Sequence, residues 1–179
     1  MDDERTAWFE ALYSANFSRI LGYVVRRCEN PEDAADVVAE TFAVAWRRGD
    51  AVPAGEEARL WLYGVARKVL ANHRRSLAGR AGLTEALAAD VAGLYTPSAE
   101  DSAETGTLGA VFRRLPDDDR ELLSLVAWEG LDHGELAEVL GCSRNAVRIR
   151  LHRARKRLAS ALAKAGLAAD WPALSGRAR

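Results

Sequence analysis

Cysteine is nearly missing from this chain. Its two copies, Cys28 and Cys142, stand far apart, with no CxxC pair and no clustering of the three histidines. That excludes a disulfide framework and a Cys/His zinc module, and it predicts free buried thiols in a reducing compartment. Runs of β-branched residues and Asn-Gly hairpin signals are absent too, so the chain is expected to be all-α. No apolar run is long enough to span a bilayer, and no secretory signal precedes the first helix. A cytoplasmic protein without membrane insertion is therefore expected. HExxH, Walker and Gly-rich phosphate-loop patterns do not occur. His73, His133 and His152 are isolated from any ligand set. No catalytic residue, metal ligand or cofactor is expected, and the chain is not read as an enzyme.

A net excess of charge is also missing: the formal value is −1. The charges are nevertheless segregated. Basic residues gather in 144–157 and in 67–80 (Arg67, Lys68, Arg74, Arg75, Arg80), and acidic ones in 29–40 and 100–121. Two basic patches suggest two contacts with nucleic acid.

What is present is clearest in LAEVLGCSRNAVRIRLHRARKR, Leu136 to Arg157. Leu136, Ala137, Val139 and Leu140 give a first helix its apolar face. Ala137 is small enough for a second helix to cross closely. Gly141 follows where the chain needs a positive φ, and Ser143 is a good N-cap. Val147, Leu151, Ala154 and Leu158 then recur as one stripe of a helix. The offsets of Ala137, Gly141 and Val147 are those of a helix-turn-helix. Asn145, Ile149, His152 and Lys156 point away from the stripe, with Arg148 and Arg153 flanking, and this face suits the major groove. An ordinary solvated helix face is the plain alternative. Such a face mixes signs, whereas this helix carries seven basic residues and no acidic one. An exposed Ile149 among arginines is better explained by contact with a thymine methyl.

The rest of the chain divides around this motif. Residues 5–78 read as an N-terminal helical domain. Trp8, Phe9, Leu12, Tyr13, Phe17, Ile20, Leu21, Val24 and Val25 form a helical stripe to about residue 27. Asn30-Pro31-Glu32-Asp33 is a strong helix start, and that helix runs to about Arg48 with Val38, Phe42, Ala45 and Trp46 inward. Gly49 to Gly55 is a loop. A third helix runs from about Glu57 to Ser76, with Leu62, Val65, Ala66, Val69 and Leu70 as its core face. Residues 79–106 read as a linker, with helical propensity over Leu83–Leu94. Residues 107–163 form a second domain: a helix near Thr107–Arg114, another starting at Pro116 and Asp117–Asp119 and ending near Glu129-Gly130, then the helix-turn-helix. The tail, 164–179, carries no interpretable motif.

Two stretches now resemble one family. DAADVVAETFAVAWRR (33–48) with LWLYGVARKVLANHRR (60–75), and LPDDDRELLSLVAWEGLDHGELAEVLGCSRNAVRIRLHRARKRL (115–158), are similar to the two domains of an extracytoplasmic-function sigma factor of the sigma-70 family. The resemblance covers nearly the whole chain. It implies a protein that binds core RNA polymerase, recognises the −10 and −35 promoter elements and helps open the duplex.

By that resemblance, the acidic face Asp33, Asp36 and Glu40, with Val37 and Thr41 beside it, meets the β′ clamp. Ala39 departs from the Gln frequent in the family, at the expected loss of one polar contact. The third helix meets the −10 element through Arg67, Lys68, Asn72, His73, Arg74 and Arg75, with Trp61 as an aromatic that core packing explains equally well. Lys68 stands where many relatives carry Asn, so phosphate contact is its expected role. The loop at 49–57 would cradle a flipped base, for which its sequence names no pocket residue. In the helix-turn-helix, Arg148, Ile149 and His152 are candidates for base contact at the −35 element. Arg144, Arg150, Arg153 and Arg155 are candidates for phosphate, with Asn145 and Lys156 on the same face. The implied partners are core RNA polymerase through its β′ clamp and β flap, promoter DNA, and an anti-sigma factor acting in trans.

A flexible linker of about 28 residues has an r.m.s. span of roughly 30 Å and reaches about 90 Å extended. Elements one and a half turns apart need roughly 50 Å, so both can be held at once. Three other readings are weighed: a stand-alone helix-turn-helix regulator, an enzyme acting on DNA, and a protein that sequesters another factor. The N-terminal domain, the missing catalytic motifs and the basic recognition helix respectively speak against them.

Overall fold

The computed structural model describes residues 2–28, 30–84 and 106–167. Most of the expected linker and tail, and the 85–94 part of the helical propensity, lie outside the described residues. Those residues form α-helices, one 3-10 turn and no strand, so the all-α expectation holds. The chain divides into two compact units.

The first unit is built from α1 (Asp2–Val25), α2 (Pro31–Arg47) and α3 (Glu57–Thr84), with a 3-10 turn at Gly49–Ala51. Each helix packs on the other two. Helix α2 starts where the sequence says it should. Asn30 is in extended backbone, its side chain accepts the Asp33 N–H at 2.7 Å, and Pro31 opens the helix where no N–H is needed. Ile20, Tyr23 and Val24 from α1, Val37, Val38, Phe42 and Ala45 from α2, and Leu62, Ala66 and Leu70 from α3 are buried together. Each large aliphatic side chain so buried is worth about 1.5–3 kcal/mol. Two polar groups inside are satisfied locally: Thr41 Oγ1 donates to Val37 O at 2.7 Å and Asn16 Nδ2 to Leu12 O at 2.9 Å.

Three expected core residues are not enclosed. Val25 is exposed, and Tyr13 and Trp46 are 39% and 37% accessible. Val25 is the last residue of α1 and is left open to solvent. Tyr13 and Trp46 sit at the rim of a ring cluster: Phe9 meets Trp46 edge-on at 5.1 Å, and Tyr13 lies 4.7 Å from Phe42 and stacks on Phe17 at 4.9 Å. Arg5 covers Trp46, its guanidinium 4.8 Å from the ring and donating to the Trp46 carbonyl at 2.6 Å. Two helices cannot close over so many rings, so the outer faces stay wet. Helix α3 also runs past the expected end near Ser76, to Thr84.

The second unit is built from α4 (Gly106–Arg113), α5 (Asp117–Ala127), most of α6 (His133–Leu140) and α7 (Arg144–Lys164). Helix α7 packs on α5 and α4. The predicted stripe of Val147, Leu151, Ala154 and Leu158 is buried and continues to Leu162. Turn chemistry sets the geometry. Gly141 has φ 63°, and the Cys142 N–H reaches back to Ala137 O at 3.0 Å, closing α6. Ser143 Oγ then accepts the Ala146 N–H at 3.2 Å, opening α7.

Candidate nucleic-acid interface

Helix α7 is pinned at both ends of the motif, and its outward face follows from that. With Val147 and Leu151 facing inward, Arg148, Ile149, Arg150, His152, Arg153 and Lys156 are exposed together, as are Arg144 and Asn145 at the start. Ile149 is 41% accessible, a large apolar side chain among cations. Arg148 Nη2 donates to Asn145 Oδ1 at 3.0 Å, which pre-orients both polar ends on one face. No acidic side chain of α7 offsets them.

Two of the helix's cations are engaged inward. Arg157 donates to Asp119, a nearly buried carboxylate of α5, and ties α7 to its support. Arg155 is half-buried, burial pulls its pKa below the usual value, and its Nε meets no hydrogen-bond acceptor. Arg155 is therefore less available for phosphate than the spacing suggests. Arg144 is exposed, yet its guanidinium lies across Gly134 at the start of α6. A Cβ added there would meet Arg144 Nη2 at 2.8 Å.

The start of α6 carries a feature the sequence reading passed over. Asp132 Oδ1 accepts the N–H groups of Gly134 and Glu135 at 2.6 and 2.9 Å, and Glu135 Oε2 accepts the Asp132 N–H at 2.9 Å. This is a capping box, and the Asp-x-x-Glu spacing was legible. The bond from the Glu135 N–H, then that from Gly134, holds the Asp132 carboxyl below its usual pKa, with Arg144 and His133 adding to it.

Helix α3 is more divided. Lys68, Asn72 and Arg75 share one exposed face, and Arg75 donates to Asn72 Oδ1 and to Ala71 O. Arg67 and Trp61 are half-buried. His73 turns inward, its Nε2 lying 2.8 Å from Asp33 Oδ1, a close polar approach rather than an aligned hydrogen bond. Arg74 is exposed but donates to Arg27 O at 3.2 Å, capping the end of α1. The side chain of Arg80 lies outside those described.

The acidic face of α2 also needs correction. Val37 and Thr41 are 1% and 0% accessible and form part of the core, so they cannot touch a partner. They lie four apart on the stripe that also carries Val38 and Phe42. Asp33 is mostly turned in, held by Asn30 and His73. Asp36 and Glu40 remain exposed, and Glu40 is bridged to Arg47 at 2.6 Å. Near the same hairpin, burial pushes the Cys28 thiol pKa up, Asp33 adds to the rise and Arg74 opposes it.

A helical bundle followed by a helix-turn-helix with a one-signed outward face defines a DNA-binding transcription protein. The Sigma-70 region 2 model matches residues 12–80, and the Sigma-70 region 4 model matches residues 106–158. The chain belongs to the extracytoplasmic-function sigma factors of the sigma-70 family, promoter-specific initiation factors that bind RNA polymerase. It is 33% identical over 154 residues to the RNA polymerase sigma factor NccH of Alcaligenes xylosoxydans, covering 80% of this chain and 81% of that one. It is 29% identical over 170 residues to the RNA polymerase sigma-H factor of Pseudomonas aeruginosa, covering 86% of each. Among solved structures it is similar to CnrH in complex with the cytosolic domain of CnrY, with a TM-score of 0.62, 25% identity and 88% of each chain covered. Among the described residues no helix is long and apolar enough to cross a membrane.

Proposed function

We propose that α7 reads the −35 element, α3 contacts the −10 element, and the Asp36–Glu40 face of α2 docks on the β′ clamp of core polymerase. The observation that carries this reading is the outward face of α7. It holds Arg148, Ile149, His152, Arg153 and Lys156 exposed on a helix whose opposite stripe is buried. Arg148 suits a guanine edge and Ile149 a thymine methyl, while Arg144, Arg150 and Arg153 suit phosphates. On α3 the phosphate and base contacts fall to Lys68, Asn72 and Arg75. Residues 5–78 and 107–163 serve as the two DNA- and polymerase-binding domains, with 79–106 as the tether between them. Two weak contacts joined by such a tether reinforce each other through effective concentration.

The second unit offers the β flap an apolar surface, since Trp128 is exposed and meets Phe112 edge-on at 5.7 Å beside exposed Leu108. The same surfaces suit cover by an anti-sigma factor, as CnrH is bound by a second polypeptide. The chain works in the cytoplasm, without catalysis, metal or cofactor of its own. A titration of the purified chain against core polymerase, with Asp36→Arg/Glu40→Arg alongside, tests the reading. One-to-one binding that the double variant loses is expected. Tight binding to duplex DNA alone, without binding to core, would instead indicate a stand-alone regulator.

A further inference from the structure

We propose that His73 and Asp33 form a positioning pair that sets the promoter face of α3 against the polymerase-docking helix α2; the inference rests on the functional reading above. Among the described side chains of α3, Leu70 is the last that is buried, and of residues 71–76 all but His73 are exposed. Yet this segment carries Asn72 and Arg75, which complete the exposed face begun by Lys68. Burial of residues 71–76 themselves therefore does not fix the rotation of the helix here.

Two polar ties do so instead. His73 brings Nε2 to 2.8 Å from Asp33 Oδ1, with both side chains largely covered, at 23% and 19% accessibility. The acceptor is itself immobilised, because Asn30 Nδ2 donates to Asp33 Oδ2 at 2.8 Å and the Asp33 N–H donates to Asn30 Oδ1 at 2.7 Å. Arg74 adds the second tie at Arg27 O, 3.2 Å away. Asp33 thus belongs at once to the N-terminal cap of α2 and to the seat of α3. A push on α2 by the polymerase reaches the promoter face through this carboxylate. His73 and Asp33 are assigned no direct contact of their own with DNA or polymerase. They act by holding Asn72 and Arg75 at the angle from which a strand can be met, and small errors in such angles are costly.

The experiment uses the full chain with core polymerase, on a duplex promoter selected from a random library by the wild-type holoenzyme. Core affinity, melting temperature and rate of promoter opening are measured for His73→Leu, His73→Gln and Asp33→Asn. His73→Leu is expected to keep core affinity within about twofold while opening the promoter roughly tenfold more slowly, the scale of a lost coupled contact. His73→Gln, whose amide nitrogen can approach Asp33, is expected to restore most of the rate, and Asp33→Asn to fall between. Opening at the wild-type rate by His73→Leu overturns the proposal. So does a loss that follows core affinity or melting temperature across the three variants, or a Gln variant no better than Leu. A wild-type chain that fails to bind core fails the functional reading itself, which the other outcomes leave standing.

Discussion

Helices α3 and α7 look alike in sequence, each a long helix with basic residues crowded on it, yet they spend those residues differently. Helix α7 leaves Arg148, Arg150, Arg153 and Lys156 in solvent and commits Arg157 to Asp119 of α5. Helix α3 commits both His73 and Arg74 to the α1–α2 hairpin and exposes Lys68, Asn72 and Arg75. The difference follows from what ends each apolar stripe. The buried stripe of α7 continues to Leu162, so apolar packing runs along the helix, with Arg157 as a polar tie to α5. That of α3 stops at Leu70 among the described side chains, and polar ties take over. A basic run therefore keeps most of its cations for binding where apolar packing fixes the helix, and gives some of them up where polar ties must do so.

Changes to that packing should have the largest effects. Leu151→Ala and Leu62→Ala each empty a fully buried site, one per unit. Each is expected to cost about 2–5 kcal/mol, read by denaturant unfolding. Similar losses in both would show that the units are equally dependent on their cores, and a negligible loss in either would break the account. Arg157→Ala strips the partner from a nearly buried carboxylate and should cost roughly 1–3 kcal/mol of stability. Arg153→Ala should leave stability unchanged while weakening duplex binding on every sequence and lowering the salt slope by about 1. Were the two arginines to behave alike, the division of α7 into anchor and face would be wrong.

Arg148→Ala is expected to lower discrimination between cognate and scrambled duplexes by about 1–3 kcal/mol. Equal losses on both duplexes would assign Arg148 to phosphate instead. The smallest effect concerns the caps. Asp132 titrates and the α2 cap Asn30 does not. Because its bonds to backbone N–H groups depress the folded pKa of Asp132, its contribution is present above the unfolded value of about 3.9 and is lost as pH falls through the lower folded one. Asp132→Asn should flatten that acid limb in a pH series of melting temperatures while keeping the cap. An unchanged acid limb would remove Asp132 from the account.

Much of this was readable beforehand, for local reasons. Asn30-Pro31, Gly141 and Ser143 act within a few residues of themselves, so their types alone dictate a cap or a left-handed turn. The stripe from Val147 to Leu158 has one period and one consequence. The same locality made the Asp132–Glu135 box legible, though it was passed over. Val37 and Thr41 were misplaced because a helix face cannot be assigned to partner or core until its neighbours are known. Trp46 was expected inside because hydrophobicity does not say how much cover two helices can supply.

By itself, then, the sequence determined the helices, their caps, the helix-turn-helix and the sign of its outer face, since each rests on residues close together in the chain. Only the tertiary structure decided which cations remain free. Arg157 meets Asp119 across 38 positions, and Arg74 meets the Arg27 carbonyl across 47. Such partners are chosen by the packing of helices against one another, and no local pattern records the choice.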